Sequence, residues 1–211
     1  MDATPNTLAF PDRVSELYSQ VERSAISKLK LIVILREPIS REMSLHNHKR
    51  AAFERNPDKN SWYGDVAFTN GTIKTFEQYV EYRLTNPSDV DYGKYVDHLK
   101  RWVSFFSRNQ LLVLSYDELK SNPAVSQWRI QQFLGGKFAG ALQEENAKDN
   151  KRKKKTVPAS VSQLLAPTFS QTNQDLYKFL DKSPNRPWME QYPFPHFETD
   201  GGESKAKRFA E

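Results

Sequence analysis

With 211 residues the chain is long enough for one domain with a real core, and its 13 Phe, 9 Tyr and 4 Trp supply large buriable surfaces although only 37% of residues are apolar. A formal charge of +5 and a pI near 9.2 suit an anionic partner without naming it. The absence of cysteine excludes a disulfide, a thiolate zinc site and a cysteine nucleophile. No apolar run reaches transmembrane length and no signal-peptide pattern opens the chain.

In chain order, the spacing of Val14, Leu17, Tyr18 and Val21 predicts a helix near Asp12 to Glu22. Lys30 to Leu35 is a continuous β-branched and leucine run, the pattern of a strand covered on both faces in a parallel sheet. Pro38 suits the first turn of a helix that runs to about Phe53. Residues 56 to 72 read as loop, followed by a helix near Phe76 to Leu84. Tyr95, Leu99, Trp102, Val103 and Phe106 recur at helical spacing, with Tyr95 and Trp102 expected in the core. Leu111 to Leu114 is a second short strand, and a helix from about Ala124 to Leu134 stops at Gly135-Gly136. A polar loop, 137 to 158, holds the basic run Lys151 to Lys155. A last helix carries Phe169, Leu176, Tyr177 and Leu180, and residues 198 to 211 form a tail expected to be disordered. Such alternation predicts an α/β domain, a three-layer parallel sheet flanked by helices, over residues 1–197.

Ligands of open α/β sheets bind outside the carboxyl ends of the strands. Arg36 lies at such an end, and its planar fork can hold a phosphate through two parallel hydrogen bonds. Ser44 lies roughly two turns into the following helix and reaches the same anion if that helix packs back over the strand end. The plainer alternative pairs Arg36 with a carboxylate and leaves Ser44 an ordinary surface serine. His46 and His48 stand two apart on the helix, face different directions and are assigned to the surface rather than to a metal. His98 and His196 have no partner visible in the sequence, and no metal-ligand spacing appears anywhere. The basic run admits a solvated charge run, a nuclear-localisation signal or a nucleic-acid patch. No stacking aromatics interleave it, so nucleic acid is not the expected partner.

The string "KLIVILREPISREMSLH" resembles the 3′-phosphate-binding segment of sulfotransferases, in which a strand ends in Arg-Asp/Glu-Pro and a serine follows eight positions after the arginine. Other segments resemble the carbohydrate members, the heparan sulfate group above all, in the same order: "DATPNTLAFPDRVSELY", "GKYVDHLKRWVSFF" with "QLLVLSYDEL", "VSQWRIQQFLGG", "KRKKKTVP" and "LLAPTFSQTNQDLYKFL". The resemblance implies a P-loop NTPase-like sulfotransferase fold. It also implies transfer of a sulfuryl group from 3′-phosphoadenosine 5′-phosphosulfate (PAPS) to a hydroxyl or amine, of a carbohydrate by preference, with no metal. Arg36 and Ser44 then hold the 3′-phosphate, Asp2 takes the place of the catalytic glutamate, and Lys153 and Lys155 contact the nucleotide. Phe138 either stacks on adenine or belongs to the core. The sequence departs from the family at Ala3, Lys154 and Val157, which stand where the family has lysine, glycine and often histidine. The family's Gly-rich 5′-phosphosulfate loop is not found, so the chain is expected to lack the first third of the domain. A Golgi-lumenal site of action fits a full-length parent, a cytoplasmic one otherwise. A basic nucleic-acid-binding module and a non-catalytic nucleotide-binding relative are the alternatives.

Overall fold

The two apolar runs pair side by side. In the computed structural model, which describes residues 8–21, 23–136, 157–181 and 193–197, β1 (Leu31–Leu35) and β2 (Leu111–Ser115) form a parallel ladder with Leu31 opposite Leu111 and Leu35 opposite Ser115. Parallel neighbours require a crossover, and three helices supply it: α3 (Pro38–Arg55), α4 (Phe76–Leu84) and α5 (Tyr95–Phe105). Ahead of β1 come α1 (Pro11–Val21) and α2 (Arg23–Lys28). After β2 come α6 (Tyr116–Ser121), α7 (Pro123–Leu134) and α8 (Ala159–Asp181).

The side chains of a strand alternate between faces, and the packing follows that alternation. Leu111, Val113 and Leu35 turn towards Tyr95, Val96 and Leu99 of α5 and Leu176, Tyr177 and Leu180 of α8, with Phe194 and Phe197 closing the cluster. Leu112 and Leu114 turn the other way, onto Phe133 and Ile130 of α7. Helices therefore flank the sheet on both sides, the expected three layers. A second cluster, built on Ile39, Phe53, Phe76, Tyr79, Leu165 and Phe169, joins α3, α4 and the first half of α8.

The expectation that the first strand is covered on both faces fails for β1. Ile32 and Ile34 remain 40% and 51% exposed, whereas every residue of β2 is buried. The reason is position in the sheet: α7 covers the outward face of β2, and among the described residues β1 has a strand neighbour on one edge only. The helix expected to run from residue 12 to 22 is followed at once by α2, and α6 is an element the sequence reading passed over.

Local chemistry explains the element ends nearest the site. Glu37 caps α3, its carboxylate accepting from the backbone N–H of Ile39 at 2.9 Å and of Ser40 at 2.5 Å, while Pro38 fills the first turn where no N–H is needed. Thr75 and Gln78 form a capping box on α4. Gly135, at φ 71°, ends α7 in the left-handed conformation that glycine adopts freely.

Candidate anion-binding site

Arg36 is the first residue beyond β1, at the carboxyl end of the sheet. The Tyr95 hydroxyl donates to its carbonyl at 2.7 Å, which ties the strand end to α5. Burial raises the pKa of this phenol, so it stays a protonated donor. The register that sets Leu35 against Ser115 places Arg36 beside Tyr116, and the guanidinium lies 5.2 Å from the centre of that ring. Lys120 approaches the same ring at 4.6 Å. The Nε of Arg36 is buried and makes no hydrogen bond, and among the described residues no carboxylate lies within ion-pair distance of Arg36. The alternative in which a carboxylate neutralises this arginine thus finds no partner among the described residues. A buried polar nitrogen without an acceptor is costly unless something else supplies one.

α3 returns Ser44 to the neighbourhood of Arg36. Arg41, Ser44, Leu45 and His48 recur at helical spacing on one face, and together with Arg36 they line an open depression of about 240 Å³. Ser44 and His48 are exposed. Arg41 donates from Nη1 to the Glu42 carboxylate at 2.7 Å and also lines the depression.

Behind that face α3 carries charge into the interior. Glu42 is 1% exposed and lies 3.5 Å from the Arg83 guanidinium of α4. Lys49 donates to Asp65 at 2.5 Å, and Arg83 approaches the same oxygen at 3.7 Å. Lys74 donates to the carbonyls of Asp65 and Ala67 at 2.8 and 2.6 Å. Burial raises the Glu42 pKa against the opposing pull of Arg83, Arg41 and Lys49, and burial lowers that of Lys74. This network clamps the loop after α3, with its short 3₁₀ turn Gly64–Val66, against the helix.

Of the residues singled out by sequence, the structure brings Arg36 and Ser44 to one depression. Asp2, Phe138, Lys153 and Lys155 lie outside the described residues, as does the tail. His48 is exposed as expected. His46 is not: it is 4% exposed, donates from Nε2 to the Lys74 carbonyl at 3.1 Å, and packs against Phe76 and Tyr79. His98 and His196 also find partners, His98 at the Asp91 carbonyl, 3.1 Å away, and His196 stacked on Tyr177 with ring centres 3.9 Å apart. Sequence reasoning missed Arg41 and Tyr116. Arg41 was within reach, because it precedes Ser44 by three on the same helical face. Tyr116 becomes visible only once the strand register is known. Among the described residues no group of three His, Asp or Glu is placed to hold a metal ion, and no helix is long and apolar enough to cross a membrane.

Comparison with known proteins gives four matches. The family model described as "Sulfotransferase domain" matches residues 15–199. The chain is 29% identical over 121 residues to the bifunctional heparan sulfate N-deacetylase/N-sulfotransferase 2 of Homo sapiens, 57% of this chain and 13% of that protein. It is 33% identical over 113 residues to the heparan sulfate glucosamine 3-O-sulfotransferase 3B1 of Homo sapiens, 53% of this chain and 26% of that protein. The matches therefore span about a quarter or less of the length of these relatives. In fold, it matches the crystal structure of a sulfotransferase from Alicyclobacillus acidocaldarius with a TM-score of 0.56 at 16% identity, covering 84% of this chain and 62% of that one.

Proposed function

The chain belongs to the sulfotransferase domain family, and from that premise we propose that it carries the 3′-phosphate-binding part of a site that transfers a sulfuryl group from PAPS to a hydroxyl or amine of a carbohydrate. The observation that carries the reading is the buried, unpartnered Nε of Arg36 at the carboxyl end of β1, beside the exposed hydroxyl of Ser44. An unsatisfied guanidinium nitrogen and an exposed hydroxyl in one depression are donors of the kind that bind phosphate oxygens.

On this reading Arg36 binds the 3′-phosphate through its fork, Ser44 donates a further hydrogen bond, and Arg41 adds positive charge held in place by Glu42. Tyr95 and Tyr116 keep Arg36 oriented from its backbone and from its ring-facing side. The co-substrate supplies an activated sulfuryl group. What the described residues contribute is binding and orientation, the main source of rate in such in-line transfers. The base for the acceptor proton is assigned to Asp2, and further nucleotide contacts to Lys153 and Lys155, on the family resemblance. The carbohydrate acceptor is supported by relatives whose names specify heparan sulfate.

Adenosine 3′,5′-bisphosphate, the nucleotide left after transfer, tests the reading in a thermal-shift titration. At a hundred times its dissociation constant it should stabilise the chain by about 2.7 kcal/mol, a rise of roughly 5–10 °C in Tm. Adenosine, which lacks both phosphates, should give no rise. An unchanged midpoint at millimolar bisphosphate would contradict the assignment.

A further inference from the structure

The depression extends beyond Arg36 and Ser44. It follows one face of α3 away from the sheet edge, from Arg41 through Ser44 to His48, ten residues and about 15 Å beyond Pro38. There the His48 ring meets the indole of Trp62, with centres 5.4 Å apart and planes inclined by 33°. Trp62 is 58% exposed and rests edge-on against Tyr63, again at 5.4 Å. Of all residue types, tryptophan loses most when so large a surface stays in water.

The exposure is not the result of a loose loop. Lys49 holds Asp65, and Lys74 holds the carbonyls of Asp65 and Ala67. Lys59 donates to the Thr69 carbonyl, and Asn56 donates to the Tyr63 hydroxyl at 3.3 Å. Gly64 passes so close to Lys59 that a Cβ there would collide with the Lys59 carbonyl. An indole presented on a rigid support at the end of a cationic row is preorganised to bind something flat on one face.

We propose that His48 and Trp62 form a sugar-ring subsite that takes the apolar face of a pyranose in an anionic saccharide, at the far end of the depression from the phosphate ligands Arg36 and Ser44. The inference rests on the sulfotransferase reading above and places a non-reacting part of the acceptor. Three features select this occupant. The negative face of an indole attracts the C–H groups of a sugar ring. The flanking Arg41, whose one carboxylate partner among the described residues is the buried Glu42, complements a chain bearing sulfate or carboxylate groups. The nucleotide belongs at the sheet's carboxyl edge by Arg36 and Tyr116, at the opposite end of the depression. Binding energy gathered this far from the reacting group is what a polymer-modifying enzyme can use to hold its acceptor in register.

The test is calorimetric titration of the full chain with two probes, adenosine 3′,5′-bisphosphate and a size-defined heparan sulfate hexasaccharide. Trp62→Ala should weaken the hexasaccharide about tenfold, Trp62→Phe less, and neither should change nucleotide affinity. Trp62→Phe keeps an aromatic ring in the loop and serves as the folded control. Unchanged hexasaccharide affinity in both variants overturns the subsite. So does an equal loss for both probes in Trp62→Phe, which would make the indole a nucleobase platform. A wild-type chain that binds the nucleotide but no hexasaccharide overturns this inference and leaves the nucleotide site standing. One that binds hexasaccharide in a Trp62-dependent way but no nucleotide keeps the subsite and removes the reading of the anion site.

Discussion

Replacing Glu42 by alanine should cost much more stability than replacing it by glutamine. Glu42 is 1% exposed, its Oε1 lies 2.7 Å from Arg41 and its Oε2 3.5 Å from Arg83, whose own side chain is only 9% exposed. Alanine strips a carboxylate from a buried guanidinium and opens a cavity, a cost of about 3–5 kcal/mol or roughly 6–20 °C in Tm for a chain of this size. Glutamine keeps the volume and an acceptor for Arg41. Burial already opposes ionisation here, raising the Glu42 pKa despite three neighbouring cations. The neutral amide should therefore cost only about 1–2 kcal/mol. The pH dependence follows from the raised value: stability gained by holding Glu42 neutral is complete below the ordinary carboxylate range and is lost as pH rises through the raised pKa. Over that window the deficit of Glu42→Gln relative to wild type should shrink as pH increases. Urea denaturation of the three proteins across that range measures both effects. Glutamine as damaging as alanine at neutral pH, or alanine within about 0.5 kcal/mol of wild type, would refute the reasoning.

Leu112→Ala should cost about 2–5 kcal/mol and Ile34→Ala at most about 1 kcal/mol, because Leu112 is fully buried under α7 while Ile34 is half exposed; denaturant midpoints compare them. Gly64→Ala forces the loop away from the Lys59 carbonyl and displaces Trp62, so both the thermal midpoint and hexasaccharide affinity should fall. Tyr95→Phe removes the donor to the Arg36 carbonyl at a cost of about 1 kcal/mol. That loss should not vary with pH from neutral to mildly alkaline, because burial holds the phenol protonated.

The strands and the longer helices were legible because each carries an uninterrupted apolar run or an apolar stripe, some with clear end signals such as Pro38 and Gly135. The buried stripe of α3 was not. It reads Ile39, Glu42, His46, Lys49 and Phe53 at helical spacing, with ionisable residues at its centre. Their partners, Asp65, Lys74 and Arg83, come from the following loop and from α4, so no apolar periodicity marks the stripe and His46 passes for a surface residue. The run Leu31–Leu35 could not reveal which of its faces is covered, since the deciding helix, α7, lies some 90 residues away. α6 is six residues long and opens directly from β2 on the Ser115 cap, so "SYDELKSNP" reads as the loop after a strand. At the candidate site, the Arg36–Ser44 pair came from spacing and family resemblance. Arg41 lay on the same helical face, and Tyr116 needed the strand register.

The measurement that bears most directly on the anion site is calorimetric titration of adenosine 3′,5′-bisphosphate into wild type, Arg36→Ala and Ser44→Ala. If Arg36, with its buried and unpartnered Nε, is the phosphate ligand, Arg36→Ala should lose about hundredfold in affinity and Ser44→Ala about tenfold, with the folds intact by circular dichroism. Wild-type affinity in a folded Arg36→Ala protein would contradict a phosphate site at the carboxyl end of β1.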